Sequence, residues 1–268
     1  MASMYPIGRM MMWWRIVVMM MMTTHAYALQ LFLSNSHGDF YTQKIIVNNA
    51  NNMVEMQWTT QDESQISVFI NYHQYWQIFR IRTLREMDYY QHTSAKLSTF
   101  QQLCFVRKFH WKEFIDFESM TKLSHQHSRK INKADEDLGV KNVNFNFSIP
   151  MNKIIDNNIR EICHGSKTVL VNNITIVNSI LGSKDVNDRT TIRTANKDSL
   201  FCSKITDNII SHHCLCNYSL CLNWYPCNYK NCKLLDSQGR QSCSIASCKR
   251  CYHFRYTSDS VMDCLWDI

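Results

Sequence analysis

CLCNYSLCLNWYPCNYKNC, residues 214–232, holds five of the chain's twelve cysteines, and five more (Cys202, Cys243, Cys248, Cys251 and Cys264) surround it. Within it stand Cys214, Cys216, Cys221, Cys227 and Cys232, while Cys104 and Cys163 stand alone upstream. This change in cysteine density is the sharpest boundary in the sequence. An even count is what a secreted chain with every cysteine paired requires. A segment of about 65 residues also needs such staples, because its hydrophobic core alone is marginal.

Zinc is the competing use of the same residues. Cys216-x4-Cys221, Cys227-x4-Cys232 and Cys243-x4-Cys248 come near ligand spacing, with His212 and His213 beside them. An oxidising compartment converts close thiols to disulfides, so bridges are expected and no metal or other cofactor. The pairing among the ten remains open.

The other end of the chain points to that compartment. Nine of the 15 methionines fall within residues 1–28. Arg9 and Arg15 form a basic start without acids, Ile16 to Met22 is a short apolar run, and Ala26-Tyr27-Ala28 fits a cleavage signal. Residues 1–28 therefore read as a secretory signal peptide, the run being far short of the roughly 20 residues that span a bilayer. No later segment is long and apolar enough to span either, so a secreted, extracellular chain with no membrane span is expected. Removing the leader lowers the net charge of +7 by two. With Lys and Arg scattered, nucleic acid is not an expected partner. Arg80, Arg82 and Arg85 form the densest basic group and read as a solvated helix face; a weak contact with acidic glycans or lipid head groups stays open. Asn146-Phe-Ser, Asn173-Ile-Thr and Asn217-Tyr-Ser are N-glycosylation sequons.

The chain is 45% hydrophobic with only 6 Gly and 3 Pro, which excludes a collagen-like or wholly disordered protein. Period-two alternation at Leu29–Leu33, Val54–Trp58 and Ile66–Ile70, with a turn signal at His37-Gly38-Asp39, predicts an antiparallel sheet. Apolar spacing at Tyr75, Ile78 and Phe79 predicts a helix over residues 74–87. Residues 99–109 predict a strand bearing Cys104. Asp116 predicts a cap on a short helix with Phe117, Met120 and Leu123 on one face. Ser124 to Asp137 reads as a loop and Asn144 to Ile149 as a strand. A helix over 152–164 aims Ile155, Ile159, Ile162 and Cys163 at the core, where the Cys104 strand could meet it. Such a bridge would be worth roughly 4 kcal/mol on loop entropy. Residues 168–181 read as β-prone and 182–200 as a linker, giving segments 1–28, 29–181, 182–200 and 201–268.

The C-x-C at 214–216, the W-Y-P-C-x4-C at 224–232 and the closing Cys264-Leu265-Trp266-Asp267 resemble the out at first family of secreted proteins. FQQLCFVRKF at 100–109, SMTKL at 119–123 and the N-F-S at 146–148 extend the resemblance, which covers about residues 29–268. It implies an α+β fold: a BRICHOS-like antiparallel sheet packed by two helices, followed by a small disulfide-rich, mostly β or irregular domain. It also implies that Cys104 pairs with Cys163, and that cysteines 202, 214, 216, 227, 232, 243, 248 and 264 form the family's C-terminal set. Two positions depart. Cys221 and Cys251 fall on no family cysteine, leaving room for an extra bridge between them. Asn71 stands where BRICHOS domains carry an aspartate, and an amide cannot titrate.

No catalytic constellation stands out. There is no G-x-S-x-G elbow, H-E-x-x-H helix or P-loop, and His212-His213 beside Cys214 lacks a free thiolate if every cysteine is bridged. Asp135-Glu136-Asp137 reads as a solvated acidic loop. Tyr252, Phe254 and Tyr256 alternate on one strand face and Trp224-Tyr225 sit between cysteines, so Tyr225, Tyr252 and Tyr256 are the candidate partner contacts, with a mini-core as the alternative. The expectation is a non-catalytic secreted glycoprotein binding an unknown extracellular protein, in developmental or cell–cell signalling. The alternatives are an intramolecular chaperone for a β-prone or Cys-rich client and, remotely, an unrecognised extracellular enzyme.

Overall fold

The structure, a computed structural model, describes residues 27–34, 40–84, 100–131, 133–182, 193–194, 200–204, 213–233, 242–260 and 263–265. The expected leader (apart from Tyr27 and Ala28), the His37-Gly38-Asp39 turn, nearly all of the 182–200 linker, Arg85 and His212 lie outside these residues.

Six consecutive strands form an antiparallel meander: β1 (Tyr27–Ser34), β2 (Phe40–Asn48), β3 (Met53–Thr59), β4 (Gln65–Asn71), β5 (Trp76–Leu84) and β6 (Phe100–Lys108). Beyond β6 the sheet continues with β10 (Thr168–Val171), parallel to β6, then β9 (Phe147–Pro150) and β11 (Arg193–Thr194). At the other edge β7 (Arg129–Ile131) runs parallel to β1, giving ten strands. A second, three-stranded sheet is built from the long hairpin β12 (Cys214–Lys233) and β13 (Ser242–Ser258), with β8 (Glu136–Phe145) parallel to β13. The helices are short: α1 (Phe117–Ser124), α2 (Asn157–Ile162) and α3 (Ile174–Leu181).

The expected α+β layout, a BRICHOS-like sheet packed by two helices, is therefore corrected. The protein is mostly β, and the main cover of its large sheet is a second sheet. One face of the meander, carrying Leu31, Ile45, Met56, Val68, Phe79 and Phe105, joins Phe145, Tyr252, Phe254 and Tyr256 in a single core. The other face of β4–β6 carries Phe69, Ile78, Cys104 and Val106 against α2, α3, β9 and β10. Segments 29–181 and 201–268 thus share one core.

Two-sided burial explains the main misreading. Residues 74–84, the described part of the expected 74–87 helix, hold no helix: Trp76 to Phe79 are all buried, and Ile78 and Phe79 face opposite layers. A strand covered on both faces loses its period-two signature. Tyr75, at φ +57°, turns the chain from β4 into β5. The Arg80–Arg82 group consequently lies on a strand. Arg80 bonds the Ile162 carbonyl and lies over Phe69, and Arg82 covers Phe100.

Other departures are local. Asn173 accepts from the Thr175 N–H, starting α3 where residues 168–181 read as strand throughout. The 152–164 helix is confined to α2 by Asp156, which accepts from the Ile159 N–H. The expected loop 124–137 contains β7 and the start of β8. Asp116 caps α1 by accepting from the Ser119 N–H at 2.9 Å, and Met120 and Leu123 are buried on its inner face.

All twelve cysteines are bridged. Cys104–Cys163 ties β6 to the end of α2, and Cys202–Cys214 and Cys216–Cys264 fasten the chain flanking the hairpin. Cys221–Cys251, Cys227–Cys248 and Cys232–Cys243 are rungs between β12 and β13. Given Cys227–Cys248, the Cys221–Cys251 rung closes only about ten further residues and is worth about 2–3 kcal/mol. The double variant Cys221→Ser/Cys251→Ser is accordingly expected to fold with five bridges and to lose about that much stability in urea unfolding. Phe254→Ala, which removes a fully buried ring touching both sheets, is expected to cost about 3–5 kcal/mol in the same measurement.

Candidate functional site

The core between the two sheets ends in a polar junction. β6 alternates Leu103, Phe105 and Arg107 toward the hairpin, so the apolar run terminates in a guanidinium whose side chain is 2% exposed. The 3-10 turn Trp111–Glu113 follows, held by His110, which accepts from the Lys112 N–H and gives its own N–H to Glu113. That turn swings Glu113 back over Arg107.

Arg107 Nη2 donates to Glu113 Oε2 at 2.6 Å and to the Tyr252 hydroxyl at 3.2 Å, while its Nε donates to Gln77 Oε1 at 2.7 Å. Gln77 stands opposite Arg107 in the β5–β6 register. Lys141 of β8 donates to Glu113 Oε1 at 3.1 Å, and Arg250 of β13 approaches Oε2 at 3.7 Å. Lys141, Arg250 and Tyr252 share a sheet face because β8 and β13 run parallel with Tyr252 paired to Lys141. One carboxylate is thus shared by three cations from three strands.

Burial would raise the Glu113 carboxyl, but the hydrogen bonds and charge of Arg107 override it and hold Glu113 down to about 2. Burial also lowers Lys141, with Arg107 and Arg250 crowding it further. The Tyr252 phenol is pushed up, chiefly by burial. Glu113 therefore stays ionised and Tyr252 stays protonated through neutral pH, so the cluster presents fixed charge and neither group moves a proton there.

The candidate contacts Tyr225, Tyr252 and Tyr256 are 1%, 0% and 2% exposed, which corrects the partner-contact reading in favour of the core alternative. Tyr252 and Tyr256 pack edge-on against Phe79 and Phe105, and Tyr225 lies on Phe114. With a ten-stranded sheet beneath it, the hairpin has room to bury all three. Among the described residues the exposed aromatics are instead Phe32, Tyr75, Trp111 and Tyr229. Tyr75 lies against Phe109, and the Tyr229 hydroxyl donates to Asp116. The acidic run is a latch: Asp135 accepts from the Ser247 N–H and pairs with Lys230, and Asp137 accepts from the Gly139 N–H. His213 is exposed beside Asp259. The three C-x4-C pairs of the zinc reading are split among different bridges. Cys202, Cys216 and Cys264 lie within 4.8 Å of one another, but all three sulfurs are in bridges. Asn71 closes the β4–β5 turn, accepting from the N–H groups of His73 and Gln74. Asn146 and Asn217 are exposed and Asn173 is half-buried.

A family model described as out at first matches residues 27–177, and one described as out at first, C-terminal, matches residues 201–268. The chain belongs to the out at first family. The out at first protein of Drosophila melanogaster is 24% identical over 258 residues, covering 89% of this chain and 51% of that protein. Its Drosophila virilis counterpart is 24% identical over 257 residues, covering 89% and 82%. The chain thus spans about half the length of the Drosophila melanogaster relative. No solved structure matches it. Among the described residues no helix is long and apolar enough to cross a membrane.

Of the junction, only Arg107 leaves a mark in the sequence, as a charge set inside the apolar run CFVRKF. Glu113, Lys141 and Arg250 carry no local signal, since the fold alone assembles them. Because the Glu113 pKa is depressed in the folded protein, its contribution is present above the unfolded value near 4.5 and is lost as pH falls toward 2. Glu113→Gln is expected to cost about 3 kcal/mol at pH 7 and to converge with the wild type near pH 2, read from urea midpoints across that range.

Proposed function

We propose that this member of the out at first family is a secreted, non-catalytic glycoprotein that acts by binding an extracellular protein partner in cell–cell or developmental signalling. The observation that carries the reading is the complete bridging of all twelve cysteines, a state that an oxidising compartment sustains. The exposure of Asn146 and Asn217 supports glycan attachment, and residues 1–28 supply the leader. The cluster around Glu113 supplies fixed charge without an activated nucleophile, which supports a binding role. The partner contact falls on Tyr75, an exposed ring backed by Phe109, and on Tyr229, an exposed ring held through its hydroxyl by Asp116 and Ser119.

The shared core favours permanent association of the two segments over a chaperone that releases residues 201–268. The test is expression of the whole chain in animal cells. The expected product is found in the medium, starts at Leu29, carries six bridges by non-reducing mass analysis and loses mass on removal of N-glycans. A product held in the cytosol with free thiols would sink the proposal.

A further inference from the structure

Charge at the Glu113 junction does not balance. Arg107, Lys141 and Arg250 meet a single carboxylate, and the nearby Asp137 is taken up by Lys249. Two positive charges are left in a half-buried setting, with the side chains of Lys141 and Arg250 38% and 20% exposed. Such crowding is unfavourable without a counter-charge. Two buried donors are also unmatched: Gln77 Nε2, on a residue with 0% exposure, and Arg250 Nε have no partner among the described residues. Native proteins leave few such groups, each costing about 1–3 kcal/mol. Around this cluster, Lys108 and Lys112 are exposed, and Trp111, on the same turn as Glu113, is 62% exposed.

We propose that the Glu113 junction is a binding site for a sulfated glycan, with Lys141 and Arg250 meeting a sulfate group and Trp111 offering its ring to the sugar. The proposal rests on the chain being extracellular. Anionic chemistry follows from the uncompensated cations. A polymer follows from Lys108 and Lys112, exposed beside and on the Trp111 turn, which add positive charge beyond the pair that one sulfate meets. A sugar follows from the 62% exposed indole, which, with His110 stacked on it and Lys112 Nζ over its ring, offers its remaining apolar surface to the C–H face of a pyranose. The occupant would supply the missing counter-charge while Glu113 keeps Arg107 in place.

The experiment uses the purified full chain and a size-defined heparin decasaccharide, with affinity measured by calorimetry at several salt concentrations. The wild type is expected to bind at about 0.15 M salt and to weaken as salt rises. Lys141→Gln/Arg250→Gln is expected to bind roughly tenfold more weakly, the loss of two partly exposed charge contacts. Trp111→Ala is expected to weaken binding with an unchanged salt slope; its exposed ring leaves folding intact, so it decides the question if the double variant misfolds. Absence of wild-type binding, or equal binding by both variants, overturns the site. Equal binding of a decaglutamate peptide overturns the glycan in favour of an acidic protein, and saturation by sodium sulfate with equal affinity reduces it to a free-anion site. Because binding is measured on purified protein, its failure is separate from a failure of secretion.

Discussion

The ring of Phe254 touches Phe79 and Phe105 of the large sheet, and Phe145 of its own sheet, at centroid distances of 4.9–5.2 Å. Everything distinctive in the architecture depends on that face-to-face packing. Aromatic pairs of this kind add about 0.5–1.5 kcal/mol each beyond the area they bury. Their position matters more than their sum, since they turn a bridged hairpin and a six-stranded meander into one hydrophobic unit. The disulfide rungs stiffen the hairpin but do not join it to the sheet. The joining is done by apolar contact, by Arg107 reaching Tyr252, and by Gln43 donating to the Trp224 carbonyl.

Arg107 is the cost of ending that core where it ends. A buried guanidinium is strongly unfavourable alone and close to neutral when fully paired. Glu113, Gln77 and Tyr252 supply the pairing, and they come from three separate stretches of chain. The junction is consequently sensitive to the register of β5 against β6 and of β13 against the large sheet. A slip in either would strand the charge, so the ion cluster favours one alignment over its neighbours as well as adding stability.

Much of the β architecture could be read in the residues. Leu29, Leu31 and Leu33 alternate because β1 is covered on one face, and the pattern survives in β3 for the same reason. The signal fails where the sheet is covered twice, as at Trp76–Phe79, because burial then stops alternating. Helix α3 hides because Ile, Val and Leu serve a buried helix as well as a strand, and only the Asn173 cap separates the two. Tyr252, Phe254 and Tyr256 share one face, as their alternation predicts, yet their burial depends on a surface as far away in sequence as Arg107, 145 residues from Tyr252. Glu113 was invisible for the same reason.

The chain order of the small sheet also has a consequence in time. β8 is complete at Phe145, but its parallel partner β13 begins only at Ser242. At translation rates of about 5–20 residues per second, roughly 5–20 s pass before that partner leaves the ribosome. During that interval β8 and the hairpin-facing side of the meander, Phe79 and Phe105 included, are synthesised but uncovered. Nascent chains of this protein therefore spend seconds with a large adhesive surface open. Asn146, at the point where the chain crosses from the small sheet into the large one, emerges within that same window, and a sugar added there would keep the waiting edge soluble until the hairpin closes over it.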